Sequence, residues 1–475
     1  MDRNWGGFWI ALRRALRALM VVSLFAGLAG LPSRVQALAQ TPVTLQSVVV
    51  LLRQQPDLSQ LPAMNTLSAR QQQAVQYLRG FAASSQFFLL GDLRAWQAQG
   101  QVGRITPLWI VNAISLEAGP EAIAWLEQHP AVAQVRADED PQNAIQPLDG
   151  NYPGTATVET NLVQVNAQQL WSLGIYGQGV TVAIMDTGVD ITHPDLADQW
   201  RGGTNSWFDP YGQYSAPVDI AGSESGHGTA VAGIILGRNH SGRALGMAPQ
   251  AQWIAARLYN TGGRSTETAI HQAYQWVLDP DGDPLTADAP QVVNSSWGFV
   301  NIGCNQTFRP DVQAMLAAGI LPVFSAGNNG PLDGTSISPA NYPESFAVGA
   351  VNAADQLFTY SSRGPNACDA AQVFPAISAP GVHIYTTDLY GMYYSYDGTS
   401  MSAPHAAGAL ALLLSYAPGM APARQYDILT HGAHDLGDPG PDRYFGYGRL
   451  DVYQSWYWML YGDNPVRLYL PAIYR

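Results

Sequence analysis

Three residues of the sequence, each with glycine close by, could together do nucleophilic chemistry. Asp186, His227 and Ser400 occur in the contexts Asp-Thr-Gly, Gly-His-Gly and Gly-Thr-Ser. A serine hydroxyl becomes an effective nucleophile when a histidine takes its proton and a carboxylate orients that histidine. Singly, an Asp after a strand is typical of turns, and a serine before a helix is typical of helix caps. Because all three occur together, they predict nucleophilic attack on a carbonyl group.

The order of these residues along the chain separates them from other serine-based triads. The order Asp, His, Ser is that of subtilisin, whereas α/β-hydrolases run Ser, Asp, His and chymotrypsin-like enzymes run His, Asp, Ser. The serine context, Gly398-Thr-Ser-Met-Ser402, also lacks the second glycine of the Gly-x-Ser-x-Gly turn of α/β-hydrolases. Order and context therefore both favour a subtilisin-like arrangement.

The surrounding segments predict the sheet that must position these side chains. From residue 171 onwards, apolar strands alternate with helical segments, which favours an α/β fold: a mostly parallel sheet with helices on both faces. The predicted strands cover residues 180–185, 251–257, 292–297, 321–325 and 346–351, and the predicted helices cover 226–235, 266–277, 312–318 and 398–414. Ligands of such sheets bind beyond the carboxyl ends of the strands, where Asp186 and Asn328 both lie in this prediction.

Residues 1–39 have the three parts of a secretory signal peptide. Basic residues at the start precede an apolar run at 18–31, and Ala37-Leu-Ala39 supplies a cleavage site with small residues. The apolar run is shorter than the roughly 20 residues that a membrane span needs. We expect cleavage after Ala39 and a secreted, extracellular protein. An uncleaved anchor is the alternative, because residues 5–10 are also apolar.

Residues 40–150 predict a separate small α+β unit. Its predicted elements are a helix at 69–78, a strand at 108–116, a helix at 119–127 and a strand at 132–135. A linker rich in Pro, Gly, Asn and Thr follows at 141–160. From the residues alone, this unit could be an ordinary binding module.

Six sequence blocks between residues 160 and 455 resemble the subtilisin-like serine proteases, or subtilases. They are Val182-Ala-Ile-Met-Asp-Thr-Gly-Val-Asp190, His193-Pro-Asp-Leu196, Gly226-His-Gly-Thr-Ala-Val-Ala-Gly233, Asn294-Ser-Ser-Trp-Gly298, Ser325-Ala-Gly-Asn328 and Gly398-Thr-Ser-Met-Ser-Ala-Pro-His405. Within the family, the sequence most resembles the bacillopeptidase F type. This resemblance is carried by the block from Asn294, the pair Arg309-Pro310 and the segment 343–350. The resemblance implies a subtilisin-like catalytic domain at 151–455.

The resemblance also implies a serine endopeptidase and gives each catalytic residue a role. It makes Ser400 the nucleophile, His227 the base that becomes an acid, and Asp186 the residue that orients the histidine. The side chain of Asn328 and the backbone N–H of Ser400 would hold the oxyanion. No cofactor is required for this chemistry.

The same resemblance assigns the segment that binds substrate. Ser296, Trp297 and Gly298 match the family's segment whose backbone pairs with the substrate peptide, and Pro339 matches a cis proline near the primary specificity pocket. Two alternatives stay open: a catalytically silent binding protein with this fold, and an esterase or acyl transferase with the same triad. Backbone pairing favours peptides over simple esters as substrates.

The resemblance gives the flanking regions roles as well. Residues 40–150 look like the inhibitory prodomain of a zymogen, removed at a bond between residues 140 and 160, and a retained accessory domain is the alternative. The tail at 456–475 is dense in aromatic residues. It is expected to form a docked apolar strap, or else a surface that contacts a partner.

Two acidic groups are candidate sites for structural calcium. Asp195 matches a calcium ligand of many subtilisins, but His240 stands where an asparagine ligand would be. Asp279, Asp281 and Asp283 form a second candidate, although the loop lacks the glycine and the glutamate of an EF-hand. The alternative interpretation of this second group is an acidic loop that is solvated and binds no metal.

Charge and cysteine content limit the partners and the compartment. The formal net charge is −13, and residues 151–475 hold 26 acidic residues against 12 arginines. This balance disfavours nucleic acid and anionic membranes as partners, and leaves protein or peptide substrates. Cys304 and Cys368 either pair, as an exported protein allows, or stay separate thiols.

Overall fold

The computed structural model describes residues 43–141, 143–144, 148–149 and 157–462. The predicted signal peptide at 1–39 and the tail beyond residue 462 lie outside these ranges. Among the described helices, none is both long enough and apolar enough to cross a membrane.

The described strands and helices are numbered in chain order. The strands are β1 Gln46–Leu52, β2 Val102–Leu108, β3 Ala113–Ala118, β4 Val132–Ala137, β5 Asn143–Ala144, β6 Leu148–Asp149, β7 Thr181–Asp186, β8 Trp207–Phe208, β9 Gln252–Arg257, β10 Val292–Ser295, β11 Gly298–Phe299, β12 Pro322–Ser325, β13 Phe346–Val351, β14 Ile377–Pro380, β15 Ile384–Thr387 and β16 Tyr393–Asp397. The helices are α1 Leu67–Ala98, α2 Pro120–Gln128, α3 Thr160–Gln164, α4 Ala167–Ser172, α5 His227–Leu236, α6 Glu267–Leu278, α7 Arg309–Ala317, α8 Thr399–Tyr416, α9 Pro422–His431 and α10 Val452–Tyr461.

The N-terminal unit, from β1 to β4, has an antiparallel sheet in the order β2-β3-β1-β4. Helix α1 begins after Thr66, whose hydroxyl accepts a hydrogen bond from the backbone N–H of Ala69 at 3.2 Å. The strand predicted at 108–116 is wrong, because residues 109–112 form a turn between β2 and β3. Asn112 adopts a left-handed backbone with φ 42°, which asparagine tolerates and which reverses the chain.

A seven-stranded parallel sheet lies at the centre of the described catalytic region, in the order β14-β13-β12-β10-β7-β9-β8. All six residues of β7 are buried, as a strand covered on both faces requires. Val182 and Ile184 pack into the core formed with α5 and α8, whereas Ala183 and Met185 pack into the core formed with α6 and α7. The alternation puts helices on both faces, so the predicted fold class is confirmed.

The described chain ends in a helix that includes the start of the predicted aromatic tail. Helix α10 begins after Asp451, whose side chain accepts a hydrogen bond from the N–H of Gln454 at 3.0 Å. It contacts α4 and α9, and Trp456 and Trp458 pack against the main core. The boundary predicted at residue 455 therefore falls inside a helix, and its aromatic residues cover the catalytic domain.

Candidate active site

Asp186 and His227 form a buried, hydrogen-bonded pair. Asp186 is the last residue of β7 and His227 is the first residue of α5, and Oδ1 of Asp186 lies 2.7 Å from Nδ1 of His227. Both residues are buried. Glycine is needed beside them, because a Cβ on Gly228 would lie 2.0 Å from the carbonyl oxygen of Gly188. The strand end and the helix start can therefore approach closely enough for the pair to form.

The environment of His227 makes its ring more basic than that of an exposed histidine. Burial alone would lower the pKa of His227, but the charge of Asp186 and the hydrogen bond to it outweigh burial. Asp219 and Glu224 act in the same direction. The pKa of His227 is therefore raised above its ordinary value of 6.5.

Ser400 lies in the first turn of α8, which packs against α5. Its hydroxyl donates a hydrogen bond to the backbone oxygen of Ser296 at 3.2 Å. Within the described ranges, Nε2 of His227 has no hydrogen-bond partner, so the bond between Ser400 and His227 is not formed in this arrangement. Hydrogen bonds of this kind often tighten only when substrate is bound.

The amide group of Asn328 is held in one orientation beside Ser400. Asn328 follows β12, and its Oδ1 accepts hydrogen bonds from the backbone N–H of Thr399 at 3.0 Å and from the hydroxyl of Thr399 at 2.9 Å. With the oxygen so engaged, the NH₂ group must face away from Thr399. Asn328 and Ser400 line the same cavity. The backbone N–H of Ser400 belongs to the first turn of α8, where such groups have no partner within the helix.

In the predicted substrate-binding segment, the largest side chain is buried in the core, and the backbone is paired with another strand. Strand β10 ends at Ser295 and not at residue 297 as predicted, so Ser296 and Trp297 separate it from β11. The indole of Trp297 is buried, with Phe308 and Phe324 edge-on to it. A buried indole of this kind belongs to the core. The backbone at Gly298 instead pairs with strand β5.

The described pieces of the predicted linker pair with two strands, β11 and β16. Strand β5 pairs antiparallel with β11, so that Ala144 lies opposite Gly298. Strand β6 pairs antiparallel with β16, so that Leu148 lies opposite Asp397, three residues before Ser400. One of these partners follows Ser296, whose backbone oxygen accepts a hydrogen bond from Ser400, and the other ends three residues before Ser400.

The carboxylate of Asp195 already has protein partners on both oxygens. Oδ1 accepts a hydrogen bond from the backbone N–H of His240 at 2.7 Å, and Oδ2 accepts one from the hydroxyl of Tyr393 at 2.7 Å. His240 thus meets Asp195 through its backbone. Calcium binding at Asp195 stays a prediction.

The second calcium candidate differs in membership from the predicted set. Carboxylate oxygens of Asp279, Asp281 and Asp288 lie within 4.8 Å of one another, and Asp283 is outside this group. The guanidinium of Arg79, from the N-terminal unit, contacts the carboxylate of Asp279. Burial, followed by the neighbouring carboxylates, raises the pKa of Asp279 to about 6 despite this contact. Calcium binding here also stays a prediction.

Asp219 holds the helix turn that carries His227, and the sequence analysis did not identify this role. Its Oδ2 accepts hydrogen bonds from the backbone N–H of Thr229 at 2.8 Å and from the Thr229 hydroxyl at 2.7 Å. These bonds hold the first turn of α5, two residues after His227. Burial raises the pKa of Asp219 to about 6. No spacing in the sequence points to Asp219, which lies outside the named strands and forms an isolated bridge with Gly188. Thr229 belongs to the sequence block around His227.

Cys304 and Cys368 form a disulfide with an S–S distance of 2.06 Å. The bond joins two loops that flank the segment 336–341. The alternative that the sequence left open, two separate thiols, does not hold. A disulfide is typical of proteins in oxidising compartments.

Comparison with known proteins gives the family of the chain. The sequence profile of the subtilase family matches residues 177–448. The chain is 34% identical to bacillopeptidase F of Bacillus subtilis (strain 168) over 435 residues, which cover 83% of this chain and 29% of that protein. It is 33% identical to subtilisin E of the same organism over 347 residues, which cover 72% of this chain and 80% of that protein. The aligned region thus spans less than a third of bacillopeptidase F. The chain belongs to the subtilase family of serine endopeptidases.

Proposed function

We propose that the chain is a secreted serine endopeptidase that is made as a zymogen and acts through Asp186, His227 and Ser400. The observation that carries the proposal is the buried pair of Asp186 and His227, joined at 2.7 Å beside α8, whose first turn contains Ser400. A carboxylate on one ring nitrogen leaves the other nitrogen to take the serine proton.

The proposed reaction forms and breaks one acyl-enzyme. Oγ of Ser400 bonds to the peptide carbonyl carbon while its proton passes to Nε2 of His227. The oxyanion accepts hydrogen bonds from the Asn328 amide and the Ser400 backbone N–H. The carbon–nitrogen bond then breaks, and His227 gives its proton to the leaving amine. A water molecule, deprotonated by His227, releases the acyl group by the same steps in reverse order.

The proposed substrates are proteins or peptides rather than simple esters. Strand β11 pairs with an extended segment of the chain itself at Gly298 and Phe299. Pairing by backbone hydrogen bonds holds a peptide along its length and tolerates many side chains. A simple ester would leave these backbone groups unused.

The zymogen proposal assigns the N-terminal unit as an inhibitor of its own catalytic domain. The side chain of Arg136 pairs with Glu267, and Asp138 accepts a hydrogen bond from the backbone N–H of Thr268 at 3.0 Å, at the start of α6. Further along the chain, β5 pairs with β11, and β6 pairs with β16, which ends three residues before Ser400. We propose that self-cleavage falls between Ala144 and Leu148, so the mature chain starts at one of residues 145–148.

Secretion is supported by two independent features. The signal peptide predicted at 1–39 would export the chain, and the disulfide between Cys304 and Cys368 fits an oxidising compartment. The chemistry needs no cofactor in this proposal.

The endopeptidase proposal predicts a specific pH dependence for hydrolysis of internal peptide bonds. The base must be neutral, so kcat/KM should fall about tenfold per pH unit below the pKa of His227. Because that pKa is raised, the midpoint should lie above 6.5. The measurement is hydrolysis of a blocked peptide without titrating groups, between pH 5 and 9, with product masses identifying the bond. A flat profile from about pH 5 to 8 would contradict the role of His227.

Replacing Asn328 by alanine should lower kcat by about 10²–10³-fold, because one of the two oxyanion donors is lost. KM should change little, since the donor acts mainly on the developing negative charge. Steady-state kinetics on the same blocked peptide measure both constants. An unchanged kcat would show that the Asn328 amide is not a donor to the oxyanion.

A further inference from the structure

The side chain of Ile337 occupies the space between two glycines beside Ser400. A Cβ added to Gly298 would lie 2.8 Å from Cδ1 of Ile337, and a Cβ added to Gly327 would lie 2.6 Å from the same atom. The end of the isoleucine side chain therefore touches both backbones. Ile337 is itself 5% exposed.

The space between these glycines adjoins the groups proposed to react. One cavity is lined by Gly298 of β11 and by Gly327, and also by Ser400, Asn328 and Ile337. A substrate paired along β11 has its reactive carbonyl at Ser400 and Asn328. Because Ser400 and Asn328 line this cavity, the side chain of the residue that carries this carbonyl would enter it. Ile337 lies at that place.

The remaining volume is small. The cavity measures about 30 Å³. A cavity that binds benzene measures about 150 Å³, about five times as much. The space therefore accommodates a methyl or hydroxymethyl group and excludes a phenyl ring unless Ile337 moves.

The backbone around Ile337 is held by several hydrogen bonds, so the segment cannot move away from the cavity without breaking them. Its carbonyl oxygen accepts a hydrogen bond from the N–H of Asn341 at 3.0 Å. The next carbonyl, of Ser338, accepts one from the N–H of Phe299 at 2.9 Å. The Ser338 hydroxyl donates to Oδ1 of Asn341 at 2.7 Å. These bonds tie the segment to β11 and to the loop beside the disulfide.

We propose that Ile337 determines specificity by restricting the enzyme to small side chains, alanine, serine or glycine, at the residue before the cleaved bond. This inference rests on the proposed endopeptidase function and names the substrate class of the same site. Ile337 acts on substrate through its volume and takes no part in proton transfer.

The test compares four blocked tetrapeptide p-nitroanilides that differ only in the last residue: alanine, serine, leucine or phenylalanine. For the wild-type enzyme, we expect kcat/KM for alanine to exceed that for phenylalanine by about 100-fold or more, since single carbon groups change such ratios by about 10–200-fold. In Ile337→Gly and Ile337→Ala, the ratio should shift toward phenylalanine by at least about tenfold.

Leu332→Gly is the matched control, because Leu332 lies on the same loop with its side chain 75% exposed. That variant should keep the wild-type ratio, which separates lost volume from a loosened loop. A wild-type preference for phenylalanine would overturn the inference, even if both Ile337 variants failed to fold. Unchanged ratios in folded Ile337→Ala would also overturn it. Failure of the wild-type enzyme to cleave any peptide or to react with a fluorophosphonate would instead contradict the proposed function.

Discussion

The Ser400→Ala enzyme is expected to lose about 10⁶-fold in kcat, because the nucleophile and the histidine act as one unit. The variant should also keep its N-terminal unit, since self-cleavage uses the same hydroxyl. The substitution removes only one hydroxyl group and its hydrogen bond to the backbone oxygen of Ser296, so we expect the fold to be kept. Hydrolysis of a blocked peptide and the intact mass of the secreted protein measure the two effects.

Ser402→Ala is the control for this substitution. Ser402 lies one half-turn further along α8, is buried, and donates to the carbonyl oxygen of Ala379 at 3.1 Å. This variant should be processed and active. Normal processing of Ser400→Ala in a host without other extracellular proteases would contradict self-cleavage, and retained peptide hydrolysis would contradict the nucleophile.

The Asp186→Asn enzyme is expected to lose about 10⁴-fold in kcat. Oδ1 of Asp186 receives the hydrogen bond of the His227 ring at 2.7 Å and also that of the Thr187 backbone N–H at 2.8 Å. An amide keeps the size of the carboxylate but removes its charge, and its NH₂ group can favour the wrong histidine tautomer. Steady-state kinetics, normalised to correctly folded protein, give the loss.

Asp190→Asn, four residues further along the chain, is the matched substitution. The Asp190 carboxylate accepts hydrogen bonds from Thr192 and from the backbone of Tyr390, outside the catalytic pair. Its activity should stay close to that of the wild type. A loss below about tenfold in Asp186→Asn would mean that Asp186 does not orient the catalytic histidine.

The central sheet could be predicted from the sequence because its strands are buried on both faces. Strands such as β7 and β13 consist mainly of apolar residues, and every residue of both is buried. The hairpin at 109–112 could not be predicted in this way. It lies within an apolar run, and the turn depends on the backbone of Asn112 and on hydrogen bonds from Gln86 in α1.

The sequence could predict a residue of the candidate site only where that residue belongs to one of the six sequence blocks that resemble the subtilases. Asp186, His227, Ser400 and Asn328 stand beside glycines at strand or helix ends, and their types indicate their chemistry. Ile337 carries no polar group, so its importance depends on its distance from two glycines distant in sequence. Among the described residues, Ser400 and His227 form no hydrogen bond with each other, and the sequence could not predict this either.

The most direct test of the account is the intact mass of the secreted, purified protein, with and without a fluorophosphonate that reacts with activated serines. We expect one adduct, located on Ser400, on a chain that starts at one of residues 145–148. A folded chain that has lost its N-terminal unit and yet carries no adduct would contradict it. That result would favour a catalytically silent binding protein with a subtilase fold.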